Sequence, residues 1–159
     1  MTGFEWAAAV HMAMVGMTDQ AVKLASAIRD RYDGAKRNPW NEIECGSNYA
    51  RSMASFAMLQ AFSGFRYDMT RGWLAFAPIL PGDFRCFWSL GTIWGEYRRE
   101  GNKHTLSILH GKATLCAFSI PGATSVRNGR HKLAATCQNG ELRLARPLAL
   151  QEDMTLEFR

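Results

Sequence analysis

Apolar residues recur at spacings of three and four over roughly the first 75 residues, which is the period of an amphipathic α-helix. Each predicted helix begins at a Thr or Ser that can act as an N-cap and ends close to a glycine. The predicted helices cover about residues 2–15, 18–32 and 47–62. Because Gly16 and Met17 form a short connection, we expect the first two helices to pack antiparallel. Pro39 favours extended backbone, so residues 35–46 are predicted as a loop.

From residue 84 onward, the pattern changes to short runs of β-branched and aromatic residues that are separated by Gly, Asn and Pro. The predicted strands cover about residues 84–89, 92–98, 104–109, 113–119, 124–127, 131–136, 141–145 and 154–158. The pairs Asn128-Gly129 and Asn139-Gly140 are the strongest hairpin signals, because Asn-Gly favours the tight turns that join antiparallel strands. This arrangement predicts an antiparallel sheet or one half of a sandwich.

The change of pattern divides the chain into a helical part over residues 1–79 and an antiparallel β segment over residues 80–159. Apolar residues make up 47% and charged residues 21%, which is typical of a globular protein rather than a disordered one. The net charge is +5, but no basic run exceeds two residues, so we do not expect a nucleic-acid partner. No stretch approaches the ~20 apolar residues of a membrane span, so we expect no membrane-spanning segment.

Metal and cofactor signals are absent from the sequence. The four cysteines are far apart and form no CxxC pair, and the four histidines show neither HxxxH nor HExxH spacing. The glycines form no nucleotide-binding loop. We therefore expect neither a metal nor a cofactor, and the scattered cysteines favour a reducing, cytoplasmic location.

Residues 37–51, RNPWNEIECGSNYAR, concentrate amides, carboxylates and aromatic rings in a loop that leads into the third helix. Sugar hydroxyls need carboxylate acceptors and cationic or amide donors, and an aromatic ring packs on the apolar face of the sugar. Glu42, Asn48 and Arg51 are the candidate polar contacts, and Trp40 is the candidate stacking residue. In the alternative interpretation, Glu42 or Glu44 pairs with Arg51 and merely fixes the loop on the start of the helix.

The run RNPWNEIECGSNYARSMASFAMLQAFSGFRYD, together with the later GWLAFAP, closely resembles the end of the catalytic region of glycoside hydrolase family 116. That family includes non-lysosomal glucosylceramidases and bacterial β-glucosidases. The resemblance covers about residues 2–79 and implies that Glu42 and Arg51 contact sugar hydroxyls. Asn48 stands where members of the family commonly have His. The implied fold class is α+β: the last helices of an (α/α)6 barrel followed by an antiparallel β segment.

The resemblance also implies that the two catalytic carboxylates of a retaining glycosidase lie upstream of this block. No catalytic residue is therefore expected within the chain. We expect the chain to be a C-terminal fragment that acts on a carbohydrate together with the missing N-terminal part of the same enzyme, and to be inactive alone. The alternative hypothesis is a non-catalytic carbohydrate-binding module or a structural or interaction module.

Overall fold

The computed structural model describes residues 2–31, 35–36 and 51–159. Its contacts divide the chain into two compact units, Met1–Phe62 and Ser63–Arg159. The first unit is helical over its described residues, and the second is built from β-strands.

The helical unit begins with α1 (Thr2–Met14) and α2 (Thr18–Arg29). A 3₁₀ helix over Arg51–Ser55 leads into α3 (Phe56–Ser63), so the described part of the third predicted helix is α-helical in its second half. Gly16 ends α1 with φ +85°, and the N–H of Met17 donates to the carbonyl of Met12 at 2.8 Å. This is the bonding pattern of a glycine-terminated helix, which the sequence predicts.

The first two helices run antiparallel, as predicted. They contact each other, and the guanidinium of Arg31, just after α2, donates to the carboxylate of Glu5 at the start of α1. Their buried positions are mostly small or branched apolar residues, which allow close approach of the two backbones; these are Ala9, Val10, Ala13, Ala21 and Ile28. The predicted N-cap of α2 is wrong by one residue, because Met17 occupies that position and makes no side-chain capping bond.

The second unit contains eleven strands within the described residues. In chain order they are β1 (Arg66–Asp68), β2 (Trp73–Ala75), β3 (Phe84–Ser89), β4 (Ile93–Glu100), β5 (Lys103–Gly111), β6 (Ala113–Ser119), β7 (Val126–Asn128), β8 (His131–Lys132), β9 (Ala135–Gln138), β10 (Glu141–Leu150) and β11 (Thr155–Phe158). One sheet has the order β1-β2-β6-β10-β9, and the other has the order β3-β4-β5-β11-β7-β8. Strands β2 and β6 are parallel, and the remaining pairs are antiparallel.

The two sheets share one hydrophobic core, which makes this unit a β-sandwich. Along β3, Cys86 and Trp88 are buried, whereas Arg85, Phe87 and Ser89 are exposed, as expected from the two-residue period of a strand. The first sheet contributes Leu74, Leu115, Phe118, Leu142 and Leu150 to the core, and the second contributes Tyr97, Leu106, Ile108, Leu156 and Phe158. The alternating apolar residues of the sequence therefore form the inner faces of two sheets that pack against each other.

Both predicted Asn-Gly hairpins are confirmed, with different turns. Asn139 and Gly140 have φ 52° and 75° and join β9 to β10, which is the pair of positive φ values that a type I′ turn needs. Asn128 instead pairs with His131 inside the β7–β8 ladder, and the two-residue loop is Gly129-Arg130. The sequence therefore locates both hairpins, whereas strand register decides which residues turn.

The predicted fold class is wrong. Over the described residues the chain is mostly β, with two sheets of five and six strands and three short α-helices, and these residues form no (α/α)6 helical barrel. Within the described residues there are three α-helices, which are too few for such a barrel. The segment around β1 and β2, which the resemblance assigns to the helical region, instead forms strands that pair with β6 through β2.

No helix within residues 2–31, 35–36 and 51–159 has the length and apolar character needed to cross a membrane.

Candidate functional site

The site predicted from the sequence falls largely outside the described residues. Trp40, Glu42 and Asn48 lie outside them. Arg51 is the first residue of the 3₁₀ helix that precedes α3. The structure describes its backbone but not its side chain. The contact of Glu42 and Arg51 with a sugar thus stays a prediction.

The β-sandwich carries a different concave site at the end where β4 turns into β5. A groove with a volume of about 560 Å³ is lined by Asn102, Lys103, His104, Pro121, Gly122 and Arg159, and we call it the Pro121 groove. A second cavity of about 360 Å³ shares Asn102, His104 and Pro121 with it. A volume of several hundred Å³ matches that of small-molecule sites in proteins.

His104 is the buried polar residue of the Pro121 groove. Its side chain is 5% exposed, and its Nδ1 lies 2.6 Å from the hydroxyl of Tyr97. Tyr97 is fully buried and stacks on Phe76 with 4.2 Å between ring centroids and 4° between ring planes. The β4–β5 ladder pairs Arg99 with His104, so Tyr97 lies diagonally across from the histidine on the inner face of the sheet.

Burial sets the protonation of this pair. It lowers the pKa of His104, with a further lowering from the positive charge of Arg99, so the imidazole is neutral at pH 7. Burial also raises the pKa of Tyr97, which keeps its hydroxyl protonated. The protonated hydroxyl of Tyr97 and the neutral imidazole of His104 are therefore joined by one hydrogen bond between uncharged groups.

Nε2 of His104 is the ring nitrogen that does not contact Tyr97. The two nitrogens of an imidazole ring point in nearly opposite directions, so Nε2 faces away from Tyr97. Among the described residues, one side-chain nitrogen or oxygen is fully enclosed and makes no hydrogen bond, namely Nε1 of Trp88. His104 lines the groove, and neither of its ring nitrogens is a fully enclosed atom without a hydrogen bond.

Two cations at the rim of the Pro121 groove share one carboxylate. The ammonium of Lys103 lies 3.0 Å from Glu157, and the guanidinium of Arg159 lies 3.7 Å from the other oxygen of that carboxylate. On the adjoining side, Asp83 accepts a hydrogen bond from the N–H of Gly101 at 3.1 Å. The rim therefore presents more hydrogen-bond donors than acceptors, since ammonium and guanidinium groups only donate.

Arg99 fixes the loop beside these residues. Its Nε donates to the carbonyl of Gly82 at 2.8 Å, and its Nη2 donates to the same carbonyl at 2.6 Å and to that of Leu80 at 2.5 Å. Because these partners are neutral carbonyls, the positive charge of Arg99 remains beside the histidine. Arg99 thus positions residues 80–82 and contributes to the local field.

The sequence interpretation did not identify His104 as a site residue. One signal points to it: the β5 positions that face the core are His104, Leu106 and Ile108, so a titratable ring begins an otherwise apolar inward series. A polar residue at such a position needs a partner in the interior. Tyr97, seven residues earlier, supplies that partner.

Within the described residues, no three His, Cys, Asp or Glu side chains are grouped closely enough to hold a metal ion. Cys86, Cys116 and Cys137 are free thiols. Burial raises the pKa of Cys86 to about 12, so it is protonated and packs as a small apolar side chain.

Comparison with known proteins finds no matching family model and no matching curated protein. Among solved structures, the chain is similar to a GH127 beta-L-arabinofuranosidase from Geobacillus stearothermophilus T6, with a TM-score of 0.38 and 17% identity. The similarity covers 81% of this chain and 21% of that chain. It is thus a distant structural similarity to a glycoside hydrolase, does not support family 116 in particular, and is too weak to transfer a function.

Proposed function

We propose that the chain is the C-terminal part of a glycoside hydrolase similar to family 116, and that it contributes sugar contacts but not the catalytic carboxylates. The observation that carries this proposal is the block RNPWNEIECGSNYAR at residues 37–51, which combines sugar-binding residue types with the family resemblance. The substrate is a β-glucoside or a related glycoside, and the partner is the N-terminal part of the same enzyme. The same proposal includes a cytoplasmic location.

In this proposal Glu42 accepts hydrogen bonds from sugar hydroxyls, and Arg51 donates to the oxygens of the same ring. Asn48 is a further polar contact, and Trp40 packs on the apolar face of the sugar. Charge-assisted hydrogen bonds are roughly twice as strong as neutral ones, so the carboxylate and the guanidinium account for most of the polar binding. In this proposal residues 1–79 supply the sugar contacts, and residues 80–159 form the antiparallel β segment that follows them.

The test uses the longest open reading frame that contains these residues and measures hydrolysis of p-nitrophenyl β-D-glucoside. Glu42→Gln and Arg51→Met should each lower kcat/KM by roughly tenfold or more, because each removes one charge-assisted contact. Glu152→Gln and Arg146→Met are matched controls at exposed positions of the β-sandwich and should leave kcat/KM unchanged. Wild-type kinetics in both site variants would remove Glu42 and Arg51 from the site.

The 159-residue chain by itself provides the second arm of this test. It should show no hydrolysis above background, since the proposal places both catalytic carboxylates elsewhere. Turnover by this chain alone would contradict the proposal directly.

The second candidate function is a non-catalytic carbohydrate-binding module. The Pro121 groove favours it, because the β-sandwich presents a concave, donor-rich surface with a buried histidine at its edge. Binding of a saccharide by the chain that is unaffected by Glu42→Gln and Arg51→Met would favour this candidate over the first.

A further inference from the structure

The outer face of the second sheet carries a row of exposed rings. Phe87 on β3 is 53% exposed, Trp94 on β4 is 44% exposed, and His110 on β5 is also exposed. These three strands are neighbours in the sheet, and the residues on either side of Phe87 and of Trp94 face the core. The rings therefore share the side of the sheet that is turned away from the core. We call these three residues the Trp94 platform.

Strand register brings the three rings side by side. Trp94 pairs with His110 in the β4–β5 ladder, and their ring centroids lie 4.6 Å apart with 30° between the ring planes. Phe87 pairs with Glu96, two residues beyond Trp94, so Phe87 is a diagonal neighbour of Trp94. Diagonal neighbours on one face of a sheet lie about 7–8 Å apart. The platform thus runs across the strands as one row.

A β-bulge turns His110 toward this face. The core-facing positions of β5 alternate up to Ile108, so a strict two-residue period would point His110 inward. Instead, the β4–β5 register shifts between Trp94 and Gly95, and His110 is exposed opposite Trp94. Gly95 is required at the shift, because an added Cβ would collide with the carbonyl oxygen of Ser107. Bulges re-aim side chains, and this one creates the stack of His110 on Trp94.

The charges that border the platform balance one another. Glu96, directly opposite Phe87, pairs with the guanidinium of Arg85 and, at 3.1 Å, with that of Arg98. Arg98 also lies 3.2 Å from the carboxylate of Glu100. Two positive and two negative charges are therefore paired within this border, so neither sign is left over to attract a charged partner. This balance favours an uncharged ligand.

A chain of neutral sugar rings has the matching chemistry. Each pyranose has C–H faces that pack on aromatic rings, and its hydroxyls both donate and accept hydrogen bonds. Beside the rings of the platform, the carboxylate of Glu96 is an acceptor, and the guanidinium groups of Arg85 and Arg98 are donors. The border thus offers partners for both functions of a sugar hydroxyl.

The size of the platform also fits sugar rings better than a second protein. An aromatic side chain presents about 150–250 Å² in all, so three rings that are about half exposed offer on the order of 300 Å². A stable protein–protein interface takes about 800 Å² from each partner. The exposed rings are therefore sufficient for a few sugar units and too small for a stable protein interface.

We propose that the Trp94 platform binds a neutral saccharide chain, with sugar rings stacked on Trp94 and Phe87 and with His110 supporting the indole from one side. The support matters because a ring that is held in place before binding loses little conformational entropy when a ligand covers it. This inference rests on the proposed function for its choice of a carbohydrate ligand. The platform lies at the opposite end of β5 from the Pro121 groove and is separate in sequence from residues 37–51.

The test measures binding of cellohexaose, xylohexaose, mannohexaose and hexagalacturonate to the 159-residue chain by isothermal titration calorimetry. At least one neutral hexasaccharide should bind at least tenfold more tightly than its own monosaccharide, because a chain covers two rings of the platform and a single sugar covers one. Its affinity should be the same at low and high salt, because the ligand is uncharged. No binding by any of the three neutral chains, or tighter binding of hexagalacturonate, would overturn the proposal.

Variants then locate the site. Trp94→Ala and Phe87→Ala should each weaken binding of that hexasaccharide at least fivefold, whereas Trp94→Phe should retain most of the affinity because it keeps a ring at the central position. Tyr67→Ala is the matched control, since Tyr67 is exposed on β1 of the other sheet, and it should bind like the wild type. Wild-type affinity in Trp94→Ala, or an equal loss in Tyr67→Ala, would overturn the proposal.

Sedimentation velocity tests the alternative occupant, which is a second copy of the chain. Trp94→Ala should leave the association state of the chain unchanged, because the proposal assigns the platform to a saccharide. Loss of association in Trp94→Ala without loss of saccharide binding would assign the platform to a second copy and overturn the proposal.

This inference fails separately from the proposed function. The chain that carries both Glu42→Gln and Arg51→Met should bind the hexasaccharide with wild-type affinity. Loss of binding in that double variant would assign the saccharide to residues 37–51 and overturn the platform. Retained binding, together with wild-type kinetics of Glu42→Gln and Arg51→Met in the hydrolysis assay, would support the platform and contradict the proposed function alone.

Discussion

The hydroxyl of Tyr97 lies 2.6 Å from Nδ1 of His104, and both side chains are buried on the inner side of the β4–β5 ladder. The contact joins the hydrophobic core to the Pro121 groove, because Tyr97 stacks on Phe76 while His104 lines the groove. One hydrogen bond therefore satisfies a polar ring in the interior and fixes the direction of its second nitrogen.

His104 should make the stability of the protein depend on pH. Its pKa in the folded chain is lowered by burial and by Arg99, whereas in the unfolded chain it is near 6.5. The unfolded chain therefore binds more protons, so this contribution is fully present above about pH 6.5 and is lost as the pH falls toward the folded pKa. Thermal unfolding between pH 7.5 and 5 should show a steeper decline for the wild type than for His104→Gln.

The control for this prediction is His131→Gln, which changes an exposed histidine of β8. It should retain the wild-type dependence of the melting temperature on pH. Identical pH profiles for the wild type and His104→Gln would contradict a lowered pKa for His104.

Tyr97→Phe should destabilise the protein by about 1–3 kcal/mol at neutral pH, because it leaves Nδ1 of a buried histidine without its hydrogen-bond partner. Urea unfolding measures this change. Tyr67→Phe is the matched control, since Tyr67 is exposed on β1, and it should change the free energy of unfolding by less than about 0.5 kcal/mol. A smaller loss of stability in Tyr97→Phe than in Tyr67→Phe would contradict this prediction, because it would mean that water takes the place of the Tyr97 hydroxyl beside His104.

Gly111→Ala should be strongly destabilising. Gly111 has φ +84°, and an added Cβ would collide with the carbonyl oxygen of Thr92 across the hairpin. The left-handed conformation and the collision together should cost more than about 2 kcal/mol in the free energy of unfolding.

Gly91→Ala is the control for this glycine prediction. A Cβ at Gly91 would meet no atom within 4 Å. Its effect should stay within about 0.5 kcal/mol in the same urea titration. Similar costs for the two substitutions would show that the β4–β5 register near Gly111 differs from the one described.

Arg99→Met should loosen the loop at residues 80–82. The guanidinium donates to the carbonyls of Leu80 and Gly82, and its loss removes these charge-assisted bonds. We expect about 1.5–3 kcal/mol of destabilisation and faster amide hydrogen exchange at Gly82 and Asp83. Arg85→Met, which removes an exposed ion pair with Glu96, should cost less than about 1 kcal/mol and leave exchange in that loop unchanged.

The helical unit should bind the dye ANS and associate in solution. Phe56 is 75% exposed and Met53 is 72% exposed, and Phe4 and Leu59 add further exposed apolar surface in the same unit. Phe56→Gln combined with Met53→Gln should lower ANS fluorescence at least twofold, whereas Leu109→Gln on the β-sandwich should leave it nearly unchanged. A wild-type chain that is monomeric and does not bind the dye would contradict this prediction.

Several strands could be placed from the sequence because their signals are local. Strand β3 matches the predicted range of 84–89, and Asn139-Gly140 forms the type I′ turn that its residues favour. The short strands β1 and β2 escaped prediction because three residues carry too little pattern. The pairing of β2 also depends on β6, which lies more than forty residues later.

Other differences arise because sheet membership is not a local property. The single strand predicted at residues 131–136 is divided between β8 and β9, which belong to different sheets. The strand predicted at 141–145 continues to Leu150 past Pro147. Its register with β6 is interrupted between Arg143 and Leu148, so the proline lies in an irregular part of the ladder where its missing N–H is tolerated.

The sequence by itself determined the first two helices, most of the strands from residue 84 onward, the glycine that ends α1, and the positions of the hairpins, because each depends on neighbouring residues. It also carries the 37–51 block on which the proposed function rests. The tertiary structure alone decided that the strands form two sheets around one core and that His104 meets both Tyr97 and the Pro121 groove. These features depend on contacts between strands that are distant in the chain, such as Phe158 with His104, and local sequence patterns do not encode which distant strand supplies the partner.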